Sequence, residues 1–202
     1  MDRGRLEAFS DGVIAVAITL LALNLVVPGP GHGPLLMQLA DRWPSFLAYL
    51  LSFFTIGIVW VNHHELLQLI PRVTRALLFL NLLLLMFVVL MPFATGTAAD
   101  YLGRGGDDAR GAVALYASVL LGMAVAFALI FEWALRHGDV GLPTGATGVG
   151  VRLRFGVGNL AYVAAIGIDF LSPLAAFALL FLVGIYYVFQ QAPRPRRSDD
   201  DQ

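Results

Sequence analysis

The sequence predicts an all-α polytopic membrane protein with six transmembrane helices, and three observations carry that expectation. Of its 202 residues, 58% are hydrophobic and only 13% are charged, a balance well outside that of ordinary soluble domains. The apolar residues collect in runs near the length needed to cross a hydrocarbon core, about 20 residues, and each run is bounded by Pro, Gly or charge. Finally, the arginines fall unevenly about those runs, which orients them.

The first run covers residues 7–27 and stops at PGPGHGP, whose prolines and glycines cannot continue a helix. Arg3 and Arg5 precede it, as in a signal peptide, but the apolar stretch is long, Glu7 and Asp11 stand before it, and no A-x-A site follows, so it reads as a retained helix. Further spans cover 43–69, 74–98 and 109–135. The Gly-rich stretch HGDVGLPTGATGVG then separates off spans at 153–169 and 172–190, joined by a short turn between Asp169 and Pro173. Residues 1–192 form one transmembrane domain, and the charged tail 193–202 reads as disordered.

All 13 basic residues are Arg. With the N-terminus inside, Arg3, Arg5, Arg72, Arg75, Arg136, Arg152, Arg154, Arg194, Arg196 and Arg197 fall on the cytoplasmic side, and only Arg42, Arg104 and Arg110 outside. Basic residues favour cytoplasmic loops, so both termini are expected in the cytoplasm of a multi-pass protein of the cell membrane. A net charge of −1 offers no basic face to nucleic acid. The absence of cysteine excludes disulfides, thiolate metal sites and thiol catalysis.

On a helical wheel at about 100° per residue, Gly12, Val16, Thr19, Leu20, Leu23 and Val27 gather on one side of the first span, while Ser10 and Asp11 point away from the centre of that stripe. An acid inside a membrane is costly and needs a partner. Asp11 sits at the cytoplasmic end, where Arg5 or a neighbouring helix can hold it as a structural lock. Thr19 has the ordinary use of bonding a backbone carbonyl one turn back, and Gly12 that of close helix packing.

The second span ends in WVNHHEL, which sets Trp60, His63 and His64 at the same membrane depth as the polar start of the first. A zinc protease signature fails because Gln68 stands where the second histidine belongs, and adjacent histidines face different sides of a helix. Asn81 enters the third span from the same side. Mutual hydrogen bonding among Arg5, Ser10, Asp11, Trp60, His63 and Asn81 is the economical expectation, because buried polar groups require partners. TGVGV at Thr147 is similar to a potassium-channel filter but lacks the Tyr-Gly ending and is expected in a cytoplasmic loop. Asp169 and Glu132 have no partner evident in sequence. No nucleophile elbow, P-loop, dinucleotide fingerprint or metal-ligand cluster occurs, so neither an enzyme nor a cofactor is expected.

The stretch RLEAFSDGVIAVAITLLAL closely resembles the R-x-x-x-F-S-D first-helix signature of the transmembrane protein 175 family, endosomal and lysosomal potassium channels with prokaryotic relatives. WVNH at Trp60, LNLLLL from Leu80 and MPF at Met91 resemble the next two helices of that family. The resemblance implies a potassium-selective cation channel of one six-helix repeat, assembled as a homotetramer in membrane lipid, with the first helix lining the pore in place of the usual carbonyl filter. It places hydrophobic constrictions on Val16, Leu20 and Leu23 and a pore-lining threonine on Thr19, with potassium as the permeant ion. The motif residues Arg5, Phe9, Ser10 and Asp11 take a structural role. Val16 stands where Ile is common. Physically, an aliphatic ring gates by dewetting. Two other expectations compete: proton conduction through Asp11 or His63, and a non-conducting interaction subunit whose aliphatic stripe packs on a partner.

Overall fold

The computed structural model describes residues 2–68, 70, 72–137 and 148–191, with side chains outside 148–157 and 188–191. Within these residues the chain is helical: α1 (Arg3–Leu21), α2 (Leu35–Asp41), α3 (Trp43–Gln68), α4 (Arg75–Leu102), α5 (Gly106–His137), α6 (Gly148–Asp169) and α7 (Pro173–Gln191). The expected tail at 193–202, and linker residues 138–147, lie outside the described residues.

Helix α1 starts earlier and ends sooner than its hydropathy predicts. It tightens into a 3₁₀ turn at Ala22–Asn24, and Leu25 leaves helical geometry with φ −88° and ψ 67°. The β-branched pair Val26 and Val27 is poor in helix, and Pro28 pushes the residue before it to extended backbone. Val27 is therefore not on the helical stripe. The linker also holds a helix that hydropathy missed: α2 begins after Pro34, and Gln38 within it binds the PGPGHGP loop through Gly29 and Gly33.

The remaining elements follow local chemistry. Pro44 sits in the first turn of α3, where its missing N–H is no loss. The Thr74 hydroxyl caps α4 by accepting from the Leu77 amide at 3.3 Å. Gly105 and Gly106, at φ +69° and +74°, turn the chain between α4 and α5. Asp107 and Asp108 open α5, while Arg136 and His137 close it, each matching the helix dipole. Helix α6 begins at Gly148, so residues 148–151 of the TGVGV stretch are helical rather than loop, with their backbone carbonyls committed to the helix.

Four helical segments are long and apolar enough to cross a membrane by length and composition: Arg3–Asn24, Trp43–Gln68, Arg75–Leu102 and Gly106–His137. Pro173–Tyr187 is a shorter apolar stretch. The described residues thus comprise seven α-helices, of which four meet that criterion.

Helix α4 is the centre of the bundle, packing on α1, α3 and α5, while α6 and α7 lie against α5 and α7 also reaches α3. Close approach of α4 to α5 is permitted at Gly122, where a Cβ would stand 2.2 Å from Phe87 Cε1. The three helices α3, α4 and α5 share a buried hydroxyl chain: Ser52 Oγ lies 2.7 Å from Thr95 Oγ1 and 2.9 Å from Tyr116 Oη, and Thr95 donates to the Met91 carbonyl. Among the described residues, the extensive contacts of α1 with long helices are those with α3 and α4, which leaves it at one side of the bundle.

Candidate pore face and its polar anchor

Helix α1 has two faces of different character. Leu6, Ser10, Ile14, Ala17 and Leu21 are buried, a spacing of three and four residues that marks the packed side. On the opposite side Val16 is 57% exposed and Leu23 is 70% exposed, while Leu20 at 39% stands on the flank. Thr19 is exposed there too, its hydroxyl donating to the Val16 carbonyl at 2.8 Å. With that proton turned to the backbone, the oxygen keeps its lone pairs for an outside partner. Gly12 shares the exposed side, and a Cβ added there would meet nothing within 4 Å. The close packing expected of Gly12 is therefore absent among the described residues.

The polar residues of α1 divide into two sets rather than one cluster. In the first, the Ser10 hydroxyl donates to the Leu6 carbonyl at 2.9 Å, Asn81 Nδ2 donates to Ser10 Oγ at 3.0 Å, and Asn81 Oδ1 lies 2.6 Å from His63 Nε2. These directions assign the histidine tautomer: since the amide oxygen accepts, His63 carries its proton on Nε2. Ser10, His63 and Asn81 are 0%, 1% and 1% exposed, so this set ties α1, α3 and α4 together in the interior. In the second, Trp60 Nε1 donates to Asp11 Oδ1 at 2.9 Å near the surface. Asp11 thus pairs with α3, and Arg5 and Phe9 are exposed outside both sets.

The contacts at this end of α1 that sequence reasoning missed involve ordinary surface residues. Arg3, rather than Arg5, reaches α3 by donating to the Gln68 carbonyl at 3.0 Å. His64 Nδ1 lies 2.6 Å from Glu7 Oε1 without hydrogen-bond alignment, and its Nε2 lies 2.8 Å from Gln68 Nε2. The two histidines therefore turn to different partners, as adjacent helical residues must. Among the described residues no group of three His, Asp or Glu converges on a point that would hold a metal ion. Elsewhere, Glu132 pairs with Arg136 at 2.8 Å, and Asp169 is buried at the end of α6.

A family model described as endosomal/lysosomal potassium channel TMEM175 matches residues 5–92, the segment that holds the exposed stripe of α1 and all of both polar sets. A potassium channel of Streptomyces collinus is 43% identical over 200 residues, covering 98% of this chain and 97% of that protein. The crystal structure of a lysosomal potassium-selective channel TMEM175 homolog from Chamaesiphon minutus matches with a TM-score of 0.81 at 35% identity, over 95% of this chain and 98% of that one. The human endosomal/lysosomal proton channel TMEM175 is 38% identical over 117 residues, 54% of this chain and 23% of that protein. Relatives that are named ion channels and extend over nearly the whole chain, together with a shared all-helical fold, place this multi-pass membrane protein in a family of channels rather than enzymes: the chain belongs to the endosomal/lysosomal potassium channel TMEM175 family.

Proposed function

We propose that the protein is a potassium-selective channel of the cell membrane, a homotetramer whose pore is lined by α1. The observation that carries this reading is the exposed stripe on α1, where Val16 and Leu23 face away from a helix side that is otherwise packed. A single copy leaves that stripe unpartnered, and four copies about an axis would turn it inward. Val16, Leu20 and Leu23 form the constrictions and Thr19 the polar layer between them. Six spans with both termini in the cytoplasm put the Ser10 and Asp11 end of α1 at the inner mouth, with residues 1–192 as the channel domain. The flank position of Leu20 makes Val16 and Leu23 the narrower rings.

Conduction follows from dewetting. A narrow aliphatic ring holds no continuous water, and a small widening admits ions. Four Thr19 oxygens with protons committed to Val16 carbonyls present only lone pairs to a cation, the polarity that a partly dehydrated potassium ion requires.

Proton conduction is the second reading, favoured by the vertebrate relatives named proton channels. A relay through His63 is disfavoured by the direction of its chain, which runs through an amide and ends on the Leu6 carbonyl. Asp11, nearer the surface, is the better relay group.

Potassium flux into proteoliposomes tests the proposal. Leu23→Trp places a bulky plug on the proposed axis and is expected to abolish flux; flux equal to wild type sinks the pore assignment. Reversal potentials across a pH gradient separate the two ions, because a pure potassium pore ignores the proton gradient. A protein that is monomeric in detergent and silent in liposomes would instead be a non-conducting interaction subunit.

A further inference from the structure

We infer that Asn24 is a positioning residue that clamps the end of α1 to a seat on α4 formed by Pro92 and Gly96, and so sets the width of the Leu23 constriction. The inference rests on the proposal that α1 lines the pore.

The seat is built from both sides. Asn24 Nδ2 donates to the Pro92 carbonyl at 2.9 Å, joining residues 68 apart in sequence. A carbonyl oxygen has two lone pairs, so it can serve the α4 ladder and still receive this second donor. One turn further along α4, Gly96 supplies the room: a Cβ there would stand 2.7 Å from Asn24 Oδ1 and 3.1 Å from Asn24 Cγ. The Asn24 amide therefore lies against bare backbone, and any side chain at residue 96 displaces it. Pro92 and Gly96 are both poor residues for a helix interior, and together they give this amide a carbonyl to bind and bare backbone to lie on.

The position of Asn24 gives the clamp its consequence. It closes the 3₁₀ turn Ala22–Asn24, whose middle residue is Leu23. Asn24 is part-buried on α4 while Leu23 is 70% exposed, so the hydrogen bond pulls one way and the constriction faces the other. The clamp holds the helix end back against its own bundle, away from the proposed axis. Release lets the turn move forward, the Leu23 ring narrows, and a narrower apolar ring loses its water.

Asn24→Leu, which keeps the size and removes the donor, is expected to lower potassium flux at least tenfold in proteoliposomes. Gly96→Ala, which evicts the amide, is expected to do the same with Asn24 unchanged. The decisive readout is rescue: adding Leu23→Ala to either variant restores flux to that of Leu23→Ala alone, because a smaller side chain reopens a ring that has closed. Flux in both Asn24→Leu and Gly96→Ala equal to wild type overturns the inference, and so does a loss that Leu23→Ala leaves uncorrected, which marks a merely structural bond. Leu23→Trp in the native chain separates the two levels. Wild-type flux there sinks the pore reading itself, whereas blocked flux there with wild-type flux in Asn24→Leu sinks only the clamp.

Discussion

Replacing Asn81 with Leu tests the interior anchor of α1 most directly. Asn81 makes two inter-helix hydrogen bonds, to Ser10 at 3.0 Å and to His63 at 2.6 Å, and all three side chains are fully buried. Hydrogen bonds between membrane helices contribute about 0.6 kcal/mol on average and up to about 1.7. Two of them give about 1–3 kcal/mol. Leu also strands the His63 Nε2 proton in an apolar interior, and an unsatisfied buried donor costs about 1–3 kcal/mol by itself. These two figures describe overlapping losses, so the expected destabilisation is about 2–3 kcal/mol. Ser10→Ala removes only one acceptor from the Asn81 amide, because the Ser10 proton is spent on its own helix at the Leu6 carbonyl, and its expected cost is about 0.5–1.5 kcal/mol. The double variant is expected to cost barely more than Asn81→Leu, since the bond that Ser10 makes to α4 is already gone. Reversible unfolding in mixed micelles, followed by circular dichroism, measures all three. A cost below about 0.5 kcal/mol for Asn81→Leu, or full additivity in the double variant, would refute the reasoning.

Further outcomes are expected at three other positions. Gly122→Ala brings a methyl group to 2.2 Å from Phe87 Cε1 and is expected to cost about 1–3 kcal/mol by overpacking, seen in the same unfolding assay. Gln38→Leu removes both donor bonds and the acceptor bond that hold the PGPGHGP loop, so hydrogen exchange at the Gly29 amide is expected to accelerate with little change at α5. Thr19→Val keeps the shape and removes the hydroxyl that faces outward; in the proposed tetramer the potassium-to-sodium permeability ratio, read from bi-ionic reversal potentials, is expected to fall while conductance persists.

The polar start of the first helix carried more information than its sequence position suggested. Ser10, His63 and Asn81 were legible as partners because each is a polar residue in an apolar run at one membrane depth, and buried polar groups must find one another. Arg5 was not separable from Arg3, because two arginines within one turn of a helix end have equal reach on paper. The structure gives the α3 contact to Arg3 and pairs Asp11 with Trp60. Asn24 was invisible for a different reason. Its partner is a backbone carbonyl 68 residues away, exposed to it by the absence of a side chain at Gly96, and no pattern of side-chain types along the chain marks such a seat. Helix α2 was hidden by its setting, a seven-residue apolar segment between prolines and Pro44, too short for hydropathy to distinguish from loop.

By itself the sequence determined the class of protein and the stripe. Long apolar runs cannot be soluble, membrane backbone must satisfy its own hydrogen bonds in helices, and the period of the helix gathers Val16, Thr19 and Leu23 on one side whatever surrounds them. The tertiary structure alone decided which side of α1 is packed and which is left open. That choice belongs to α3 and α4, whose His63, Asn81 and Pro92 hold Ser10 and Asn24 from behind, because hydrogen bonds across helices depend on distances that no spacing along one helix contains.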